Sequence, residues 1–255
     1  MHILLTNDDG IYSDGLRALH RELSALGRVT VVAPDSERSS VGHGITLAQP
    51  LYYKTVRRNG KVFGYGISGT PADCVKIGVS VILKKRKPDL IVSGINLGDN
   101  DGSSVHYSGT VAAAREGALS GIPSMAISLA SFTEADFGPA ARISQKLVRW
   151  LYRQRKVLPE GTFFNVNIPA RPLSRIRGIR LTRQGTEPIH ATFHKRVNPN
   201  DRKYFWMSGK FPVKRKDLTV DTHALHGDYV AVTPIKCDST DFAVLAKMQN
   251  WDLSL

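Results

Sequence analysis

Acidic and polar side chains follow three apolar segments in the first half of the sequence. Asp8 and Asp9 come directly after the apolar residues 3–5, Ser39 lies in a polar loop after a second apolar segment, and Asn96 follows a third. Two carboxylates, a hydroxyl and an amide carbonyl are hard oxygen ligands, which suit Mg²⁺ or Mn²⁺ and suit zinc poorly. If the carboxyl ends of the three apolar segments lie close together in the fold, these residue types predict a divalent-metal site.

Residues Ser108, Gly109 and Thr110 have the composition of an anion-binding helix start. Ser108 is a candidate N-cap for an alanine-rich helix over residues 111–120, and Gly109 permits close approach of a ligand. Backbone N–H groups at such a start bind phosphate, although the same residues also suit an ordinary helix cap. Asn100, in the preceding loop, is a further candidate for substrate binding, with ordinary turn chemistry as its alternative. A metal beside a phosphate cradle predicts phosphoryl chemistry.

Alternating strand and helix patterns predict the elements that would bring these residues together. Apolar strands are predicted at residues 3–5, 29–33 and 89–92, and the polar loop after the third strand covers residues 93–102. Ligands of open parallel sheets bind at the carboxyl ends of the strands, so the three loops would emerge along one edge. The predicted fold class is α/β, with a doubly wound, mostly parallel, Rossmann-like sheet and a β-rich C-terminal extension.

The remaining elements are predicted from spacing and from turn and cap residues. A leucine stripe predicts a helix within residues 16–26, and Asn59-Gly60 predicts the turn of a hairpin between residues 51–56 and 62–67. Thr70 and Pro71 have the residue types of a helix start, and this helix is predicted to run to a basic exit at residues 84–87. Further along, strands are predicted at residues 124–129 and 163–168, with a helix at residues 140–155 between them.

The predicted organisation is a catalytic core over residues 1–170 and a hairpin-rich extension over residues 171–255, packed together as one structural domain. Basic residues concentrate in the extension, at residues 194–196 and 210–216, and are interleaved with the aromatic residues 204–206. Such a pattern suits a surface for single-stranded nucleic acid. It equally suits hairpins whose aromatic side chains pack between subunits.

Composition limits the class of protein. The chain has 255 residues, of which 42% are hydrophobic and 22% charged, as in ordinary globular proteins. No apolar run approaches the roughly 18 residues that span a bilayer, so a cytoplasmic protein without a membrane partner is expected. Cys74 and Cys237 are far apart and form no CxxC pair, which argues against a thiolate metal site. The net charge of +13 favours anionic partners.

Five motifs, in order, resemble those of the survival protein E (SurE) family. They are Thr6-Asn7-Asp8-Asp9-Gly10, Val32-Ala33-Pro34-Asp35 followed by Arg38-Ser39, Gly69-Thr70-Pro71-Ala72-Asp73-Cys74-Val75, Ser93-Gly94-Ile95-Asn96 and Tyr107-Ser108-Gly109-Thr110-Val111. The resemblance is dense over the first 130 residues and thinner beyond them.

The resemblance implies a metal-dependent nucleotidase acting on nucleoside 5′- and 3′-monophosphates, with short polyphosphate as a further substrate of some members. It implies Asp8, Asp9, Ser39 and Asn96 as metal ligands, the same set that the three loops predict. It also implies a homodimer or homotetramer formed through the C-terminal segment, and it makes nucleic acid an unlikely partner.

Several residues depart from the family pattern or have no assigned role. Asp99 stands where the family often has proline, and Asp101 adds a negative charge that either tunes metal affinity or points into solvent. His106 stands where an apolar residue is expected, which gives little support for a catalytic role. His43 is a better candidate for a substrate contact, although a solvated loop histidine is the simpler expectation.

The predicted mechanism is metal-assisted hydrolysis of a phosphomonoester, in which either Asp8 or Asp9 can orient the attacking water. No catalytic residue beyond the metal ligands is assigned, and no GxSxG sequence supports a serine nucleophile. Two other classes remain open, a nucleic-acid-binding protein that uses the basic C-terminal half and a nucleotide-binding regulator without catalysis. A Rossmann dinucleotide site is disfavoured because GxGxxG is absent.

Overall fold

The computed structural model describes residues 1–133, 135–188, 190–210, 217–249 and 251. Its strands are β1 (His2–Thr6), β2 (Arg28–Pro34), β3 (Tyr53–Arg58), β4 (Lys61–Ile67), β5 (Leu90–Leu97), β6 (Ser124–Ala130), β7 (Thr162–Pro169), β8 (Gly178–Leu181), β9 (His190–Val197), β10 (Lys203–Lys210) and β11 (Tyr229–Lys236). Its α-helices are α1 (Asp14–Ser24), α2 (Pro71–Ile77), α3 (Gly109–Leu119), α4 (Gly138–Gln154), α5 (Asp221–His226) and α6 (Phe242–Met248).

Within these ranges, nine strands form one sheet in the order β3-β4-β2-β1-β5-β6-β7-β11-β8. The six strands from β4 to β7 are mutually parallel, whereas β3 and β11 run antiparallel to their neighbours β4 and β7. The chain moves outward from β1 to β2 and β4, and then returns to place β5 on the other side of β1. This reversal makes the gap between the carboxyl ends of β1 and β5 the topological switch point, where open α/β sheets bind ligands.

Helices cover both faces of the sheet, which is why the central strands are apolar throughout. Ile3 and Leu5 of β1 pack in a cluster with apolar residues of α1 and α4, while Leu4 packs on the opposite face with residues of α2. All three side chains are fully buried. The fold is therefore the predicted doubly wound, mostly parallel α/β sheet.

Local sequence signals fix several element ends. Thr70 caps α2 by accepting the backbone N–H of Asp73 at 3.1 Å, and the Asp73 carboxylate accepts the backbone N–H of Thr70 at 2.9 Å. This reciprocal pair forms a capping box. The hairpin of β3 and β4 turns at Asn59 and Gly60, whose φ angles of 49° and 75° suit a two-residue hairpin turn. Both features confirm predictions made from residue type.

Two predicted boundaries are wrong. Residues 93–96 are predicted as a loop, but β5 continues through them to Leu97, because Ser93 and Gly94 are buried and β5 pairs here with β1 and β6. The helix predicted to continue to residue 84 is α-helical only to Ile77 and continues as a π-helical turn over Gly78–Ile82. A side chain at Gly78 would lie 3.0 Å from Leu4, so helix and sheet are in close contact at this position.

The C-terminal part of the chain contributes to two sheets. Strand β11 lies between β7 and β8 in the central sheet, whereas β9 and β10 pair only with each other in the described part of the chain. Residues 211–216, which hold most of the predicted basic run, lie outside the described residues. The described helices include none long and apolar enough to cross a membrane.

Candidate active site

The turn after β1 fixes two neighbouring carboxylates at the switch point. Asn7 is fully buried, and its Nδ2 donates to the Gly10 carbonyl at 3.1 Å and to Ser13 Oγ at 2.8 Å. These bonds close the turn, and Ser13 also caps α1. Asp8 is buried and Asp9 is partly buried. The acidic pair is thus held by the turn itself, and sequence reasoning missed the role of Asn7 although it belongs to the same motif.

The loop after β2 is attached directly to Asp8. The backbone N–H of Arg38 donates to the Asp8 carbonyl at 2.8 Å, which places the neighbouring Ser39 beside the acidic turn. Ser39 is exposed, and its Oγ donates to Glu37 Oε1 at 2.6 Å. Glu37 was not singled out from the sequence, although an acid two residues before Ser39 was a visible signal.

Asn96 is the second-last residue of β5, the strand that pairs with β1. Its Nδ2 donates to the Gly98 carbonyl at 2.7 Å, which leaves Oδ1 available as a ligand. The backbone N–H of Leu97, the next residue, acts to lower the pKa of Asp9, so it lies close to that carboxylate. The predicted ligand Asn96 therefore lies in β5, next to the turn after β1 that carries Asp9.

The N-terminus of α3 faces Asp8. Ser108 caps this helix by accepting the Val111 N–H at 3.2 Å, and the Thr110 hydroxyl donates to the Asp8 carboxylate. A methyl group at Gly109 would lie 3.0 Å from Asp8 Oδ2. Glycine is therefore needed for the helix to approach the carboxylate this closely.

Burial and mutual repulsion disfavour charge on both acids when no cation is near. Burial raises the pKa of Asp8, and the hydrogen bonds from Thr110 oppose this shift. Burial, followed by the charge of Asp8, raises the pKa of Asp9 to about 7. The charge of Glu37 acts in the same direction on the pKa of both groups. A cation that neutralised this acidic group would remove the cost.

The residue types around the switch point fit a divalent cation. Two carboxylates, the free Oδ1 of Asn96 and the hydroxyl of Ser39 are all hard oxygen donors. The described residues contain no cluster of three or more His, Cys, Asp and Glu side chains with metal-site geometry, so a zinc-type centre has no support in them. An oxygen site of mixed side chains is the arrangement that remains.

Asn100 lies in a buried hydrogen-bond network behind the switch point. Its backbone N–H donates to Asn167 Oδ1 at 2.8 Å, its Nδ2 donates to Ser128 Oγ at 2.8 Å, and its carbonyl accepts from Asn165 Nδ2 at 2.7 Å. These contacts fix the loop that joins β5 to α3. Binding of substrate by Asn100 stays a prediction.

His43 connects the Ser39 loop to the interior of α3. Its Nε2 lies 3.0 Å from Glu116 Oε2, and Lys76 Nζ lies 2.7 Å from the other oxygen of the same carboxylate. Burial alone would raise the pKa of Glu116, but the hydrogen bonds from His43 and Lys76 outweigh it and lower this pKa. The expectation of a solvated loop histidine is wrong, because a buried acid 73 residues away accepts its hydrogen bond.

His106 is exposed, and its Nε2 lies 3.3 Å from Gln184 Nε2. This contact joins the segment before α3 to the C-terminal part of the chain. It gives no support for a catalytic role of His106.

Asp101, in the loop that joins β5 to α3, belongs to a second acidic group. It is only 4% exposed, which rules out the alternative that it points into solvent. Burial, followed by repulsion from Asp99 and Asp221, raises the pKa of Asp101 to about 7. Its Oδ2 has no hydrogen-bond partner among the described residues, whereas Asp221 accepts three backbone N–H groups.

We expect Asp101→Asn to stabilise the protein at high pH. In the folded protein the pKa of Asp101 lies near 7, above the ordinary aspartate value of 3.8, so protonation stabilises the folded state at low pH. This contribution is lost as the pH rises through 7. The free energy of unfolding of Asp101→Asn minus that of the unmodified chain should therefore be about 2 kcal/mol larger at pH 8 than at pH 5, which means that the variant gains relative stability at high pH.

Urea unfolding at both pH values measures this difference. The exposed residue Glu160 provides the matched control Glu160→Gln, which should give the same small difference at pH 5 and pH 8. An equal effect of Asp101→Asn at the two pH values would show that its carboxyl group does not titrate in this range.

The fold and the site together define a class of protein. It is a Rossmann-like α/β protein that carries paired carboxylates and a facing helix N-terminus at the switch point of its sheet. Residues 3–191 match the family model described as Survival protein SurE. The chain belongs to the SurE family.

Relatives match over almost the whole chain. A protein named 5'-nucleotidase SurE from Syntrophobacter fumaroxidans is 44% identical over 99% of this chain and 100% of its own length. A protein of the same name from Chlorobaculum tepidum is 45% identical over 99% of this chain and 95% of its own length. The crystal structure of the SurE protein from Aquifex aeolicus is 38% identical, with a TM-score of 0.85, and covers 97% of this chain and 98% of that one.

Proposed function

We propose that this protein is a metal-dependent phosphomonoesterase that hydrolyses nucleoside 5′-monophosphates to nucleoside and phosphate. The single observation that carries the proposal is the direct contact between the Asp8 carboxylate and the N-terminus of α3 at the switch point. The relatives named 5'-nucleotidase support the substrate class. Nucleoside 3′-monophosphates and short polyphosphate are further candidate substrates.

In this proposal Asp8, Asp9, Ser39 and Asn96 hold one divalent ion, with Mg²⁺ or Mn²⁺ preferred because all four donors are oxygen. What such an ion supplies is neutralisation of charge on the phosphoryl oxygens and a lower pKa for a coordinated water.

The chain's own groups position the phosphate. Residues 108–110 form the N-terminus of α3, where the backbone N–H groups of Gly109 and Thr110 and the hydroxyls would bind an anion beside Asp8, and the helix dipole favours negative charge there. The hydroxyl of Thr110 holds Asp8 in one orientation through a hydrogen bond. Either Asp8 or the partly buried Asp9 would accept a hydrogen bond from the attacking water.

The test is release of inorganic phosphate from a panel of nucleoside 5′- and 3′-monophosphates, with Mg²⁺ or Mn²⁺ present and again with EDTA. Release that requires the metal is the expected result. No release by the folded protein with either metal would contradict the proposal. Nucleotide binding without release would favour a regulator, and salt-dependent binding of DNA or RNA that survives EDTA would favour a nucleic-acid-binding protein.

We propose further that residues 171–255 form an oligomerisation extension on a catalytic core over residues 1–170. The hairpin of β9 and β10 lies outside the central sheet, and an isolated two-stranded hairpin is at best marginally stable in water. The side chains of Phe193, Phe205 and Met207 share one face of this hairpin and are each more than half exposed. A second copy of the chain would cover this apolar surface.

We expect a dimer or tetramer whose mass falls on replacement of Phe205 by serine. Loss of a large exposed aromatic from the hairpin removes contact area from the proposed interface. Light scattering coupled to size-exclusion chromatography measures the mass, and Val157→Ser is the control because Val157 is 76% exposed and distant in sequence. A monomeric unmodified chain would contradict this proposal.

A further inference from the structure

An aromatic ring is exposed beside the candidate metal site. Phe132 lies two residues after the end of β6, and 78% of its surface is exposed. Gly98, two residues after Asn96, has a φ of 111° and lies under the ring. A methyl group built on Gly98 would lie 3.1 Å from Phe132 Cε1 and 3.7 Å from Asn96 Nδ2. The Phe132 ring and the side-chain amide of Asn96, a predicted metal ligand, therefore both lie close to Gly98.

Backbone bonds hold Phe132 at this place. The N–H of Gly98 donates to the Leu129 carbonyl at 2.9 Å, and the N–H of Ser131 donates to the same carbonyl at 2.7 Å. The segment that carries the ring is thus joined to the ends of both β5 and β6. Phe132 belongs to the carboxyl edge of the sheet, where the substrate of such a fold binds.

A polar cavity of about 270 Å³ opens at the ends of β6 and β7. It is lined by Ala130, two residues before Phe132, and by Asp99, three residues after Asn96. His226 and the ion pair of Arg171 with Asp228 add hydrogen-bonding groups to its wall. A ligand bound along this edge would therefore meet hydrogen-bonding groups as well as the apolar ring of Phe132.

We propose that Phe132 stacks on the nucleobase of the substrate and so determines the preference for nucleoside monophosphates over other phosphomonoesters. The proposal rests on the proposed function. In a nucleoside 5′-monophosphate one ribose separates the base from the phosphate. The Phe132 ring lies close to Asn96, a predicted ligand of the metal at the phosphate, so the base of a bound nucleotide would lie near this ring. Base-to-aromatic stacking is tolerant of base identity because every base has a π face, so Phe132 should select for a base and discriminate little among bases.

Steady-state kinetics with 5′-AMP and with ribose 5-phosphate, which lacks a base, separate this role from a structural one. Phe132→Ala should raise KM for 5′-AMP about tenfold, the size expected for one lost stacking contact. Its effect on KM for ribose 5-phosphate should be less than about twofold. Phe132→Tyr should restore the low KM for 5′-AMP, and Val157→Ala is the control for loss of an exposed side chain.

Equal changes in KM for the two substrates, or no change for either, would overturn the proposal. A changed oligomeric mass of Phe132→Ala would also overturn it, because the ring would then be a contact between copies of the chain. If the unmodified protein hydrolyses neither compound, the proposed function fails on its own. Calorimetric binding of 5′-AMP against ribose 5-phosphate then still tests whether Phe132 binds the base.

Discussion

Replacement of Asp9 by asparagine should reduce metal-dependent phosphate release by about 10²–10⁴-fold, the range that follows from losing several kcal/mol of charge stabilisation at the reacting phosphoryl group. Asparagine keeps the shape of the side chain and an oxygen that can accept a hydrogen bond, but it removes the negative charge. The measurement is the rate of phosphate release from nucleoside 5′-monophosphates at saturating Mn²⁺ or Mg²⁺.

The loss should not come from unfolding. Asp9 lies beside the buried Asp8, and loss of one of two like charges in a partly buried site relieves their repulsion. Metal-free Asp9→Asn should therefore be at least as resistant to urea as the unmodified chain. The matched control is Asp14→Asn, since Asp14 is exposed and forms a surface ion pair with Arg17 in the first turn of α1. Retention of full activity by Asp9→Asn would remove Asp9 from the predicted ligand set.

Replacement of Asp221 by alanine should lower the free energy of unfolding by about 3–5 kcal/mol. The Asp221 carboxylate is fully buried and accepts backbone N–H groups from Gly102 at 3.0 Å, Gly185 at 2.8 Å and Thr222 at 2.8 Å. Truncation leaves these donors buried without their acceptor. Guanidinium unfolding followed by circular dichroism measures the change.

Glu160→Ala is the control for this experiment, because Glu160 is exposed and its truncation should change stability by no more than about 0.5 kcal/mol. The loss in free energy of unfolding for Asp221→Asn should lie between the losses for Glu160→Ala and Asp221→Ala, since the amide oxygen still accepts hydrogen bonds but no longer carries charge. A change below about 1 kcal/mol for Asp221→Ala would mean that water replaces the carboxylate.

Features that depend on a few neighbouring residues could be predicted from the sequence. The caps at Thr70 and Ser108 each satisfy a backbone N–H three residues further on, so residue type alone identifies them. The strand ends at Asp8 and Asn96 could be placed at one edge because parallel strands share their direction. The roles of these residues as metal ligands stay predictions.

Features that depend on distant contacts could not be predicted. The strand β5 runs past Ser93 and Gly94 because neighbouring strands bury them, and polar or flexible residues otherwise indicate a loop. Gly102 and Asp221, which share a hydrogen bond, are 119 residues apart. Nothing in the pattern around His43 indicates that its partner is Glu116. Tertiary packing determines these pairs, and single-sequence patterns carry no information about them.

The position of β11 has a consequence for the order of folding during synthesis. β8 is made before β11, yet it joins the sheet only through pairing with β11, which lies between β7 and β8. At about 5–20 residues per second, the ribosome needs several seconds to make the intervening segment. During that time the edge of β7 is unpaired, and unpaired edges invite association with other chains. A chain truncated before residue 229 would keep this open edge permanently and should aggregate rather than fold.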